Sequence, residues 1–130
     1  MKTILLVDDE HAVLDAMGQI LHNLGYQVIS RPDAESALSV IREGSNIDLV
    51  LTDYRLSGLK GIEFIAALRR TLPSTPVIIL TGDCSVEVYI KALSLGVFDC
   101  LNKPVTMKDL DRVLKSALEP SDVGNAMLLS

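Results

Sequence analysis

The sequence predicts an α/β fold in which a doubly wound, five-stranded parallel sheet has the strand order 2-1-3-4-5. Five short apolar runs alternate with five segments of helical periodicity within about 120 residues. The third run is aliphatic without polar alternation, which is typical of a central parallel strand covered on both faces. Polar residues follow four of the runs at once, at the sheet edge where such folds bind ligands.

The first strand is predicted at residues 3–7, and three acids follow it at residues 8–10. Residues 11–24 carry apolar side chains at helical spacing, and Gly25 stands where a helix end needs a positive φ. Residues 26–30 read as a short second strand. This region therefore predicts a strand, a helix and a second strand.

The second helix is expected to begin near Pro32 and to stop at Gly44. The third strand follows at residues 47–52 and ends at the carboxylate of Asp53. An aspartate in this position ordinarily caps the next turn. Residues 58–61 then form a loop that leads into the third helix.

The third helix presents an apolar stripe from Ile62 to Leu72 and ends at Pro73. Three further elements are predicted after it, namely a fourth strand at 77–80, a helix at 85–95 and a fifth strand at 98–101. The last helix begins at Thr106 with a variant of the capping box and ends at Pro120.

Composition limits the classes of function. The chain has 130 residues, 48% of them hydrophobic and 22% charged, which suits one compact domain with its own core. Its net charge of −5 argues against nucleic acid or an anionic membrane as the main partner, so DNA contact would need another domain. No apolar segment reaches about 18 residues, and the amino-terminal run is too short for a signal peptide. We therefore expect a cytoplasmic protein without membrane contact.

The predicted strand order brings five polar residues to one crevice. Asp53 follows the third strand, Asp8 and Asp9 the first, Thr81 the fourth and Lys103 the fifth. Because the carboxyl ends of parallel strands meet at one sheet edge, these side chains should share a pocket. This convergence outweighs the turn-capping interpretation of Asp53.

The residue types in this pocket indicate phosphoryl chemistry. Three carboxylates within roughly 4–5 Å repel by a few kcal/mol per pair at an effective dielectric of about 20, so a cation must hold them. Oxygen ligands with room for water favour Mg²⁺ over zinc and over a calcium cage. Lys103 adds a positive charge and Thr81 a hydroxyl donor. Such a set suits phosphoryl transfer, with Asp53 as the nucleophile.

These motifs resemble the receiver domain of a bacterial two-component response regulator, which has a flavodoxin-like fold. The resemblance covers residues 1–119 and leaves residues 120–130 as a tail or the start of a linker. The family pattern is an acidic pair, an aspartate, a hydroxyl residue and a Lys-Pro pair after strands one, three, four and five. Here these are Asp8-Asp9, Asp53, Thr81 and Lys103-Pro104.

The resemblance implies that Asp53 takes a phosphoryl group from the phosphohistidine of a sensor histidine kinase or of a histidine phosphotransfer protein. Mg²⁺, for which Mn²⁺ could substitute, would be held by Asp9, Asp53 and the carbonyl of Arg55, partly through water near Asp8. The Lys103–Pro104 bond is expected to be cis. Such a domain catalyses only its own phosphorylation and dephosphorylation, and is not otherwise an enzyme. An output domain or partner would meet the face formed by helix four, strand five and helix five.

Three positions depart from the family pattern. The loop after Asp53 lacks the usual proline and acid. Cys100 replaces the switching tyrosine or phenylalanine of strand five, and Asp83 occupies a position that tunes dephosphorylation. Cys100 is too small to fill the space that Thr81 vacates on activation. We therefore expect movement of residues 81–85 and the start of helix four, with Tyr89 or Phe98 adjusting.

Other interpretations use the same fold. A flavodoxin-like cofactor binder would need hydroxyls and amides in its first loop, where this chain has acids. A phosphatase of the haloacid dehalogenase type would carry its nucleophile after strand one in a DxD pattern, which is absent. The nearest rival is a pseudo-receiver, an interaction module that is not phosphorylated.

The histidines and cysteines are assigned no part in the chemistry. His11 and His22 are expected on helix surfaces. Cys84 and Cys100 occur in unrelated sequence contexts without CxxC spacing, so we predict two reduced cysteines without a disulfide or zinc site.

Overall fold

A computed structural model describes residues 1–56, 61–82 and 84–119. Within these residues, strands and helices alternate along the chain. Their order is β1 (Thr3–Val7), α1 (His11–Asn23), β2 (Gln27–Arg31), α2 (Ala34–Arg42), β3 (Leu49–Thr52), α3 (Gly61–Thr71), β4 (Val77–Thr81), α4 (Val86–Ser94), β5 (Asp99–Asn102) and α5 (Met107–Leu118).

The sheet has the order β2-β1-β3-β4-β5, and all four strand pairs are parallel. The predicted fold class and strand order are therefore confirmed. In a parallel sheet of this order, the connections after β1 and β3 leave on opposite sides, which opens a crevice at the carboxyl ends of these strands.

Strand β1 has the predicted bounds, and the boundaries of the other strands differ from the predictions by one or two residues. The backbone N–H of Thr3 donates to the Asp48 carboxylate at 2.8 Å, which replaces a ladder bond, and β3 begins only at Leu49. At the opposite edge Thr81 pairs with Asn102, so β4 and β5 each extend one residue further than predicted. Phe98 precedes β5 and is 40% exposed.

The core consists of two apolar layers, one on each face of the sheet. Successive strand residues alternate between them, as Leu5 and Leu6 do in β1. Helices α2, α3 and α4 contribute to the first layer, and α1 and α5 to the second. Both faces of the central strands are therefore covered, which explains their uninterrupted aliphatic sequences.

Local signals end and begin the helices as predicted. Gly25 has a φ of 96° after α1, and Gly44 has a φ of 87° after α2, a backbone region that residues other than glycine rarely enter. Thr106 accepts a hydrogen bond from the Asp109 backbone N–H at 3.1 Å and so caps α5. His11 and His22 are exposed on α1, as expected. Among the described helices, none has the length and apolar character needed to cross a bilayer.

Candidate functional site

The site lies where four strands end. The backbone N–H of Asp53 donates to the Val7 carbonyl at 2.9 Å, and that of Lys103 donates to the Thr81 carbonyl at 2.7 Å. These bonds continue the sheet pairing one residue beyond the strand ends. The side chains of Asp53 and Lys103 therefore start from backbone that the sheet holds in place.

A lysine joins two of the predicted carboxylates. The Lys103 Nζ lies 2.7 Å from Asp8 Oδ2 and 3.0 Å from Asp53 Oδ2. The Asp8 and Asp53 side chains are only 3% and 11% exposed. Ion pairs at this depth are screened little by solvent, and removing one partner would leave a buried charge uncompensated.

The environment of Lys103 keeps it charged. Burial alone lowers the pKa of this ammonium, but hydrogen bonds to Asp8 and Asp53, together with their charges, outweigh burial and raise the pKa above its usual value. Since the folded pKa is the higher one, the stabilising contribution is fully present below the unfolded pKa and is lost only as the pH rises through the folded pKa. Lys103 is thus a fixed cation throughout the physiological range.

Both aspartates are also oriented by nearby backbone. Asp8 Oδ1 accepts a hydrogen bond from the Glu10 N–H at 2.9 Å, and Asp53 Oδ1 accepts one from the Arg55 N–H at 3.2 Å. Each carboxylate thus uses one oxygen for a local turn and the other for Lys103. The turn-capping role considered for Asp53 is present, but it accounts for only one of its two oxygens.

The first loop gathers three acids. Carboxylate oxygens of Asp8, Asp9 and Glu10 all lie within 4.8 Å of one another, with Asp8 buried and the other two exposed. The sequence predicted a trio of Asp8, Asp9 and Asp53, whereas Asp53 contacts Asp8 through the Lys103 ammonium. Glu10 was not predicted as a site residue. Its signal was present, since it is the third of three consecutive acids.

A cavity of about 450 Å³ lies beside these side chains. Its lining consists of Asp9, Glu10, Asp53, Arg55, Thr81, Gly82 and Lys103. A phosphoryl group and several waters fit in this volume, since one water occupies about 30 Å³ in the liquid. Carboxylates, a hydroxyl residue and an ammonium therefore line a common cavity.

The donor set fits a hard divalent cation. The cluster offers carboxylate oxygens and no sulfur or imidazole ligands, and the cavity leaves room for water in an incomplete coordination shell. Mg²⁺ prefers octahedral oxygen ligands and usually keeps several waters. Mn²⁺ accepts the same ligand types.

The remaining predicted positions have different outcomes. The Lys103–Pro104 bond is cis, as predicted. Cys100 is buried in β5 with 7% exposure. Asp83, the loop residues 57–60 and the tail 120–130 lie outside the described residues.

Both cysteines are free, as predicted, but their unrelated sequence contexts gave no sign that they meet in space. Cys84 Sγ lies 2.6 Å from Cys100 Sγ, although 16 positions separate them in the sequence. The predicted strand order contained a signal for this contact, because it makes β4 and β5 neighbours. Spacing rules such as CxxC miss it, since they detect only local pairs.

Comparisons with known proteins agree with this architecture. The family model described as the response regulator receiver domain matches residues 4–115. A putative two-component response regulator from Arabidopsis thaliana is 31% identical over 126 residues, which are 96% of this chain and 20% of that protein. The transcriptional regulatory protein GlrR from Escherichia coli is 35% identical over 118 residues, which are 91% of this chain and 26% of the relative. The chain thus spans about a fifth to a quarter of these relatives.

Solved receiver structures are similar over nearly their whole length. A receiver domain protein from Clostridium thermocellum has a TM-score of 0.87 at 31% identity, covering 95% of this chain and 98% of that chain. A CheY-like receiver domain protein from Methanospirillum hungatei has a TM-score of 0.88 at 32% identity, with the same coverage. The beryllofluoride-activated receiver domain of DrrB has a TM-score of 0.81 at 28% identity, covering 92% and 98%.

Proposed function

Because this chain belongs to the response regulator receiver domain family, we propose that Asp53 is the residue that accepts the phosphoryl group in a two-component signalling system. Receiver domains of this family are phosphoacceptors. The observation that carries the proposal is the pair of contacts made by the Lys103 ammonium, which lies 2.7 Å from Asp8 and 3.0 Å from Asp53 beside the cavity. A pseudo-receiver is not favoured, since it would have no need for this charged arrangement.

The proposed reaction is attack by an Asp53 carboxylate oxygen on the phosphorus of a phosphohistidine. A P–O bond forms, the P–N bond breaks, and the imidazole leaves. Such transfers depend on positioning and charge neutralisation more than on covalent help. Lys103 neutralises charge on the phosphoryl oxygens, and the Thr81 hydroxyl donates to one of them.

Asp8, Asp9, Asp53 and the carbonyl of Arg55 would hold the metal, with Glu10 at the rim. Bound Mg²⁺ or Mn²⁺ would supply additional positive charge for the phosphoryl oxygens. Asp53 provides the nucleophile, and Lys103 and Thr81 orient the phosphoryl group that Asp53 accepts. Hydrolysis of the product would be the domain's own activity, which Asp83 would modulate.

The proposal extends to partners and boundaries. Residues 1–119 would form the receiver, with 120–130 as its tail or the start of a linker. A sensor histidine kinase or histidine phosphotransfer protein would supply the phosphoryl group in the cytoplasm, where the kinase finds its ATP. The output would engage the α4-β5-α5 face. Any nucleic-acid contact, as the name of GlrR suggests for that relative, would come from another domain of a longer protein.

Incubation with acetyl phosphate and Mg²⁺, followed by intact-mass measurement in acid, tests the proposal. The wild type should gain one phosphoryl group and Asp53→Asn should gain none. Asp15→Asn is the matched control, because it makes the same change at an exposed position of α1. No adduct on the wild type would favour the pseudo-receiver, and an adduct retained by Asp53→Asn would place the phosphoryl group elsewhere.

A further inference from the structure

Two thiols meet beside the site without a role in the proposed reaction. Cys84 and Cys100 are both free cysteines, and their sulfur atoms lie 2.6 Å apart. A disulfide bond measures about 2.03–2.05 Å, so an approach of only about 0.5 Å separates this contact from a bond. The two sulfur atoms are therefore close enough for a covalent link to be considered.

Backbone hydrogen bonding builds this contact. Cys100 is the second residue of β5 and pairs with Ile79 of β4. The backbone N–H of Cys84 donates to Asn102 Oδ1 at 2.9 Å, which fastens the segment after β4 to the end of β5. The thiols are thus brought together by the pairing of β4 with β5 and by the hydrogen bond between Cys84 and Asn102.

The two thiols differ in burial, and burial makes Cys100 hard to ionise. Cys84 is half-buried, whereas Cys100 is buried. Burial raises the pKa of Cys100 to about 12, with further contributions from the Cys84 hydrogen bond and the charge of Asp99. The thiolate is the reactive form of cysteine, so Cys84 is the residue that an oxidant modifies first.

We propose that Cys84 and Cys100 form a redox-sensitive pair that closes to an intramolecular disulfide and ties the segment between β4 and α4 to β5. The oxidant class is a low-molecular-weight disulfide. The Cys84 thiolate attacks one sulfur of this reagent and expels the first thiolate. Cys100, after losing its proton to solvent, attacks Cys84 Sγ and releases the second thiolate. Two protein thiols are oxidised, and one reagent disulfide is reduced to two thiols.

The link would act on the segment that connects the site to α4. Cys84 lies three positions after Thr81 and directly precedes Ser85, whose hydroxyl caps α4 by accepting from the Val88 N–H at 3.2 Å. A bond to β5 would hold this segment in place. The regulatory consequence, smaller movement of α4 on phosphorylation, rests on the proposed function, whereas disulfide formation does not. Disulfides in reducing compartments are usually transient and redox-sensing.

Intact mass tests the chemistry directly. Reduced protein is incubated with oxidised glutathione and then unfolded in denaturant with excess iodoacetamide at mildly alkaline pH, where free thiols react as thiolates. The wild type should lose two hydrogen atoms and take up no alkyl group. Cys100→Ser should keep one glutathione adduct on Cys84, whereas Cys84→Ser should take up no glutathione, because Cys100 is buried, and should gain one alkyl group after unfolding. A wild type with two alkylatable thiols, or with a lasting glutathione adduct and no internal bond, would overturn the proposal.

A second measurement tests the regulation separately. Amide chemical shifts with and without beryllofluoride are compared in the reduced and oxidised protein. The α4 shifts should be smaller after oxidation, while those at the end of β3 persist. Equal α4 shifts would refute the tether's effect on the switch. If the reduced protein shows no shifts at all, the proposed function fails, and the mass experiment still decides whether the disulfide forms.

Discussion

Helices α2 and α4 share a length and a capping scheme but differ in how they are packed. Each has nine residues, and a side chain caps each one, since Asp33 accepts from the Ser36 N–H at 2.7 Å and Ser85 accepts from the Val88 N–H at 3.2 Å. In α2 five residues are buried, whereas α4 buries Ala92 alone. Val86, Ile90 and Leu93 of α4 are 74%, 61% and 43% exposed.

From this difference we expect α2 to contribute more to global stability and α4 to be the easier of the two helices to displace. A helix that buries little apolar surface has a low free energy of local unfolding, so its displacement costs little. Helix α4 also begins just after Thr81, Gly82 and Cys84, at the edge of the site. The exposed apolar side chains on it are consistent with the proposed output face, because clusters of such side chains commonly mark interaction surfaces.

Matched isoleucine truncations should give the largest contrast. Ile41 of α2 is 6% exposed and Ile90 of α4 is 61% exposed. Ile41→Ala should lower the free energy of unfolding by about 2–5 kcal/mol through lost burial and a residual cavity. Ile90→Ala should change it by less than about 0.5 kcal/mol, as is usual at the surface. Urea unfolding at low protein concentration measures both, and an equal loss would mean that the α4 surface is covered in solution.

Metal binding in the acidic loop should raise the free energy of unfolding of the whole domain, with no effect specific to α4. If Mg²⁺ relieves repulsion in the acidic loop, saturation at about 100 times the dissociation constant adds roughly 2.7 kcal/mol to the free energy of unfolding. Thermal melts with Mg²⁺ and with EDTA test this. The gain should shrink in Asp9→Asn and persist in Asp15→Asn. An unfolding midpoint that is the same with millimolar Mg²⁺ as with EDTA would count against a metal site.

The missing aromatic residue should weaken the switch. Coupling between the site and the output surface is expected near the low end of the usual range of about 1–3 kcal/mol, because Cys100 cannot replace a rotating aromatic side chain. Phe98 is a poor substitute, since it lines a surface cavity with Tyr89 and Arg112. Amide shifts with beryllofluoride should therefore concentrate in residues 81–85 and the start of α4.

The variant Cys100→Tyr sharpens this prediction by restoring the aromatic residue, and shifts should then spread across β5 and α5. Large shifts there in the wild type, left unchanged by the added tyrosine, would show that the aromatic residue does not matter.

Capping mutations should give the smallest contrast. Asp33→Ala should cost about 1 kcal/mol in global stability, because α2 unfolds with the core. Ser85→Ala should instead speed amide exchange within α4 and leave the global free energy of unfolding nearly unchanged. Hydrogen exchange and urea unfolding of both variants separate these effects. A global loss in Ser85→Ala as large as that in Asp33→Ala would remove the distinction between the two helices.

The Asp33 cap also has a pH dependence. The hydrogen bonds from Ser36 lower the pKa of Asp33 below its usual value. The contribution of the charged cap is therefore present above the unfolded pKa and is lost as the pH falls through the folded pKa. The stability difference between wild type and Asp33→Ala should shrink on acidification below about pH 4, as urea titrations at several pH values would reveal.

The fold and the centre of the site could be predicted because both depend on local sequence patterns, namely aliphatic runs and the polar residues that follow them. Aliphatic runs fixed the strands, and the strand order placed Asp8, Asp53 and Lys103 at one edge. The exposure of α4 could not be predicted, since an apolar stripe indicates that a helix needs a partner without identifying it. The cysteine contact depends on the path of the segment after β4, which no local periodicity encodes.

The acidic pocket has a thermodynamic consequence of its own. Its carboxylates at positions 8, 9, 10 and 53 outnumber the cationic side chains at positions 55 and 103. This excess of negative charge favours the binding of a cation. An aspartyl phosphate would add further negative charge at the same place. Suppose that phosphorylation raises the affinity for the metal by some factor. Linkage then requires that the bound metal shift the equilibrium toward the phosphorylated form by the same factor. The concentration of free divalent cation would thereby set, together with the phosphoryl donor, how much of the domain is phosphorylated.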